Sequence, residues 1–172
     1  MEDVEGTGQC APDQIGRQVR GYQGYATQDR RRATDKLLRA HLSCQLEGLA
    51  TKLDGAAGHA RRLGAETVSE PLARLHRKLC TIREGLQTPA YLESAFFERD
   101  RLPEETLQSL YDCELALLKE VSTLNEELAD LDVSCLSETE VQERAMRMGD
   151  AVDAFNQALF ERESLLLSWM GE

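Results

Sequence analysis

Residues 137–169 read SETEVQERAMRMGDAVDAFNQALFERESLLLSW, and this stretch decides the fold class. Its apolar positions are Val141, Ala145, Met148, Val152, Phe155, Leu159, Leu166 and Trp169. They step alternately by four and three residues, the period of one narrow apolar seam on a helix. Only Arg162 interrupts the series. Ser137-Glu138-Thr139-Glu140 fits a capping box, in which Ser137 bonds the amide of Glu140 and Glu140 reaches back to that of Ser137. Leu136 and Val141 occupy the two positions of a hydrophobic staple. A helix of about 32 residues would be about 48 Å long at 1.5 Å per residue. Its single apolar stripe has to be covered, so the remaining segments must supply partners for it.

Three further segments carry the same step. Thr27 to Asp54, extending toward Leu63, has Leu38, Leu42, Leu46, Leu49 and Leu53 in register, with Thr27 placed to cap it. A turn is expected between Gly55 and Thr67. A second helix then follows, with Ser69 as its cap, Pro71 in its first turn and Val68, Leu72, Leu75, Leu79, Ile82 and Leu86 as its stripe. Thr88-Pro89 ends it. A short piece, Ala90 to Glu98, brings Tyr91, Leu92, Phe96 and Phe97 to cap one end of the core. The third helix starts at Pro103-Glu104-Glu105 and runs to about Leu131. The link from Asp132 to Leu136 is short, so the last two helices should be antiparallel neighbours. The fold class is therefore all-α: an antiparallel four-helix bundle, or coiled-coil hairpins, over residues 27–172. Residues 1–26 carry five glycines and Pro12 and read as a flexible Gly-rich N-terminal arm. Within that arm Gly21-Tyr22-Gln23-Gly24-Tyr25 repeats Gly-Tyr, offering two rings either to the bundle end or to a partner.

The net charge of −11 is unevenly spread. Residues 1–89 carry 14 basic and 11 acidic side chains, whereas residues 90–172 carry 6 and 20. Such acidity opposes general nucleic-acid binding and repels anionic membranes. No run approaches the roughly 18 to 20 apolar residues of a membrane span, and the first 26 residues lack the apolar core of a signal peptide. The five cysteines, Cys10, Cys44, Cys80, Cys113 and Cys135, are scattered and odd in number, which argues for reduced thiols and a cytoplasmic location.

Catalytic signatures are missing from the sequence. It has no Gly-x-Ser-x-Gly elbow, no phosphate-cradling glycine loop with Lys and no zincin motif. The Glu-x-x-His pair of a di-iron bundle is also absent, because Leu38, Ala56 and Ala73 precede His41, His59 and His76 by three. His41, Cys44, His76 and Cys80 form the one constellation with zinc-type donors, but the leucine seams turn Cys44 and Cys80 outward.

The function expected from these residues is a non-enzymatic protein–protein interaction or scaffold module without a cofactor. Its partner is another protein, with a second copy of the chain as one candidate. Tyr22, Tyr25, Arg30, Arg31 and Arg32 are the candidate partner-binding residues. One alternative is contact with a membrane surface or nucleic acid through segment 17–39, which has seven basic residues and two acidic ones. A second is a metal site buried in the bundle.

Overall fold

The structure is a computed structural model that describes residues 10–170. Among these residues there are five α-helices, one 3-10 turn and no strand. The helices are α1 (Ala11–Gln18), α2 (Gln28–Arg62), α3 (Glu66–Gln87), α4 (Glu104–Ala129) and α5 (Glu138–Leu167), with the 3-10 turn at Ala95–Phe97. No helix among the described residues is long and apolar enough to cross a membrane.

The α5 start follows its local chemistry. The Glu140 amide donates to Ser137 Oγ at 3.3 Å and the Ser137 amide donates to Glu140 Oε2 at 2.8 Å, so both halves of the capping box are formed. Val141, Ala145, Met148, Val152, Phe155, Leu159 and Leu166 are all buried, as the seam requires. The second expected helix start is corrected. Ser69 is not a cap: α3 begins at Glu66, and Ser69 Oγ is buried and donates to Ala57 O at 3.1 Å. Pro71 therefore lies inside the helix. Its missing N–H leaves the Thr67 carbonyl free, and Gln142 Nε2 of α5 approaches that oxygen at 3.5 Å.

The turn between α2 and α3 is a Schellman motif. The Ala65 amide bonds Ala60 O at 3.0 Å and the Gly64 amide bonds Arg61 O at 3.0 Å, with Gly64 at φ 76°. After this turn the helices fold back on each other. His76 Nδ1 lies 2.9 Å from Ala50 O and Arg39 Nη1 lies 3.1 Å from Leu86 O. α4 and α5 form a second hairpin, in which Arg147 Nε reaches Glu127 Oε1 at 2.8 Å. The two hairpins pack together through α3 on α5 and α2 on α4, and α1 lies along α4. One apolar core runs through all of them.

Residues 10–26 were expected in a flexible arm; in the structure they form a short helix and a turn seated on the bundle. Residues 1–9 of that arm lie outside the described residues. Ile15, Val19, Tyr22 and Tyr25 are all buried. Two of the glycines that suggested flexibility, Gly21 at φ 85° and Gly24 at φ 75°, instead serve defined turns. Gly24 has φ 75°, and a Cβ there would lie 2.8 Å from the Tyr111 hydroxyl. That close approach is what allows the Tyr25 amide to donate to Tyr111 Oη at 2.9 Å.

Candidate functional site: a buried charge cluster

Arg162, the one break in the α5 seam, is 1% exposed. An unpaired guanidinium there would be prohibitively costly, so the rest of the chain must answer it. α4 supplies Glu114 and α2 supplies Asp35, both fully buried. Arg162 Nε donates to Glu114 Oε1 at 2.9 Å, and Nη2 donates to Asp35 Oδ1 at 2.8 Å. Nη1 donates to Tyr91 Oη at 2.8 Å and Nη2 to Tyr25 Oη at 3.0 Å. The tyrosine hydroxyls in turn donate hydrogen bonds to the carboxylates. Tyr25 donates to Glu114 Oε1 at 2.7 Å, Tyr22 donates to Glu114 Oε2, and Tyr91 donates to Asp35 Oδ1 at 2.9 Å. Arg39 completes the set, its Nε 2.8 Å from Asp35 Oδ2. Two guanidinium groups thus face two carboxylates, the balance a low-dielectric interior demands.

The protonation chemistry follows from this packing. Burial pushes Asp35 up, but Arg162 and then Arg39 more than offset it and hold the carboxyl below the usual aspartate range. Burial also pushes Glu114 up, and here it outweighs Arg162 and the two tyrosine hydroxyls, leaving Glu114 above the usual glutamate range. Burial, then Asp35, raises Tyr91 to about 12 against the pull of Arg162. Tyr22 and Tyr25 are raised well beyond the ordinary phenol range, by burial first and Glu114 second. Burial pulls Arg162 down, while Tyr25, Glu114, Tyr91 and Asp35 together hold it charged. Every member is directed at another member, so the cluster joins five segments: the 19–27 link, α2, the link after α3, α4 and α5.

The five residues expected to bind a partner divide among this cluster, a separate buried contact and the surface. Tyr22 and Tyr25 are cluster members. Three successive arginines cannot share one helix face, and only Arg31 turns inward. It is 0% exposed, with Nε on Tyr25 O at 2.8 Å and Nη1 on Phe96 O at 2.9 Å and Arg99 O at 2.6 Å. Arg31 therefore clamps the N-terminal link to the 3-10 turn through their carbonyls. Arg30 and Arg32 stay at the surface. Arg30 Nη1 donates to Gln23 Oε1 at 2.6 Å, while Arg32 pairs with Glu98 at 2.7 Å and stacks over Phe97 at 4.8 Å.

The zinc-type donors are not brought together as four. His76 and Cys80 meet, with Sγ 3.6 Å from Nε2. Cys44 is exposed. No group of three or more His, Cys, Asp or Glu side chains is placed to hold a metal among the described residues.

The sequence assigns no site role to Asp35, Glu114 or Tyr91, the last being expected only as a ring that caps the core. Two of them carried a signal. Asp35 stands one step before Leu38 in the α2 stripe, and Glu114 stands between Leu110 and Leu117 in the α4 stripe. Both are charges at seam positions, as Arg162 is. Tyr91 carried none beyond being a ring in a short link. No protein-family model, curated protein or solved structure matches this chain.

Proposed function

We propose that this chain is a non-enzymatic protein–protein interaction module, an antiparallel four-helix bundle working through the outer face of its acidic C-terminal hairpin. The observation that carries this reading is where the charge goes. α4 holds seven acidic residues against Lys119, and α5 holds seven against Arg144, Arg147 and Arg162. Arg162 is spent on the buried cluster, and Arg144 and Arg147 both pair with Glu127. The remaining carboxylates of the hairpin outnumber the cations left to them and stand on its surface, where they suit a basic protein partner in the cytoplasm. Segment 17–39 is the weaker candidate surface, because Arg31 is buried, Arg39 is committed to Asp35 and Arg32 to Glu98.

The test is a zero-length carbodiimide cross-link of the full chain in a native extract, which joins carboxylates to amines in contact. The expected result is one defined protein linked through α4 and α5 carboxylates, with capture lost at high salt. Cross-links confined to residues 17–39, or none at all, would refute the reading.

A further inference from the structure

The outer side of the α4–α5 hairpin carries a groove of about 620 Å³. Its lining includes the small residues Ala116 and Ser164, the apolar Phe160 and Leu165, and the charged Asp112 and Glu161. Phe160 is 64% exposed, although it stands one residue from Leu159 of the core seam. The exposed ring lies in the groove lining beside the partly buried Leu165, so the two offer a joined apolar surface to an occupant. The charges on this face have one sign in excess. Asp112 and Glu161 are the charged lining residues, and beyond the groove Glu105 lies two turns before Asp112 on α4 and Lys119 two turns after it, so three acids stand against one cation.

We infer that this groove seats a basic amphipathic helix from a protein partner, with large aliphatic side chains against Phe160 and Leu165 and lysines or arginines against Asp112, Glu161 and Glu105. The valley between two packed helices accepts a third helix by ridges into grooves, and small lining residues let its backbone approach. A second copy of this hairpin is the wrong occupant. A symmetric contact through this face would bring two acidic surfaces together, and their like charges repel. A membrane surface is likewise the wrong partner, because anionic lipid meets anionic rim. The inference rests on the interaction-module reading and adds the place and the chemistry of the partner.

The probe is a fluorescein-labelled peptide of about 18 residues, long enough for five helical turns, with Leu along one face and Lys on the others. Fluorescence anisotropy with the full chain should show saturable binding that weakens with salt. A Leu/Glu peptide of the same pattern should not bind. Phe160→Ser and Glu161→Lys should each weaken the Leu/Lys peptide about tenfold or more. Met146→Ser, on an exposed methionine of α5 outside this groove, should leave binding unchanged. Because Phe160, Glu161 and Met146 are all exposed, circular dichroism should show the three variants folded. Equal binding by Phe160→Ser and wild type would overturn the groove. So would sedimentation showing a dimer that Phe160→Ser dissociates, since the occupant would then be a second copy. If the carbodiimide capture succeeds equally with Phe160→Ser, the groove is wrong and the module reading stands. If no partner is captured through α4 and α5, the module reading itself falls.

Discussion

Replacing Arg162 with Met should be the most damaging conservative change in the protein. Met keeps an unbranched apolar stem, though a shorter one, and deletes four donated hydrogen bonds, to Glu114, Asp35, Tyr91 and Tyr25. Both carboxylates then lose their shared cation. Asp35 retains Arg39 and Tyr91, and Glu114 retains the Tyr22 and Tyr25 hydroxyls, so neither is left bare. Breaking a buried ion pair by removing one partner costs about 3–5 kcal/mol. The retained donors place the expected loss near the middle, about 4 kcal/mol, a large share of the 5–15 kcal/mol that holds a typical domain together. With a urea slope of about 2 kcal/mol per molar, the midpoint should fall by about 2 M. The accompanying variant Arg162→Met/Glu114→Gln/Asp35→Asn removes the stranded charges as well and should recover much of the loss, a strong non-additivity between contacting sites. A loss below about 1 kcal/mol for Arg162→Met, or losses that simply add, would show that the cluster is wet and weakly coupled.

The remaining predictions concern pH, a cap and a turn. Glu114 titrates above its ordinary value in the folded state, so the native chain binds the extra proton; stability should fall as pH rises through that raised value, and Glu114→Gln should flatten this limb of a urea-midpoint profile. Asp35 has the opposite sign: its folded value is depressed, so its contribution is present above the unfolded value of about 3.9 and is lost as pH falls below it, placing the stability maximum in mild acid. Ser137→Ala should cost about 1 kcal/mol in chemical denaturation through loss of the α5 cap, and an unchanged midpoint would mean that the box contributes nothing. Gly64→Ala should cost about 1–2 kcal/mol in the same assay from the left-handed backbone alone, since a Cβ there meets no atom within 4 Å; a neutral substitution would contradict the turn geometry.

The helices were legible because their seams are long and regular, and because Ser137 and Glu140 spell out a start that needs no tertiary context. The α3 start was not, because Ser69 and Pro71 mimic an N-terminus while the Gly64 turn places the helix origin at Glu66. Burial of Ser69 against Ala57 O is a tertiary event that no local rule contains. The N-terminal segment was misjudged for a related reason. Gly21 and Gly24 are equally compatible with disorder and with fixed turns at positive φ, and only the distant Tyr111 and Glu114 decide between them. The cluster announced itself through Arg162, yet its other members sit up to 140 positions away along the chain (162 − 22), and only Asp35 and Glu114 show in the sequence, as charges misplaced in apolar stripes. The α4–α5 groove left no trace in the sequence beyond an acidic composition, because Phe160 lies one position off the seam.

The cluster's role as the lock that holds the N-terminal link on the bundle is tested most directly by amide hydrogen exchange, read by mass spectrometry on the peptide covering residues 19–27. The Tyr25 amide is buried against Tyr111 Oη, and the flanking tyrosines are held by Glu114. The bonded amides of Tyr22 and Tyr25 in that peptide should exchange far more slowly than in an unstructured control and should accelerate sharply in Arg162→Met. Labelling of this peptide in the wild type as fast as an unstructured control would contradict the account.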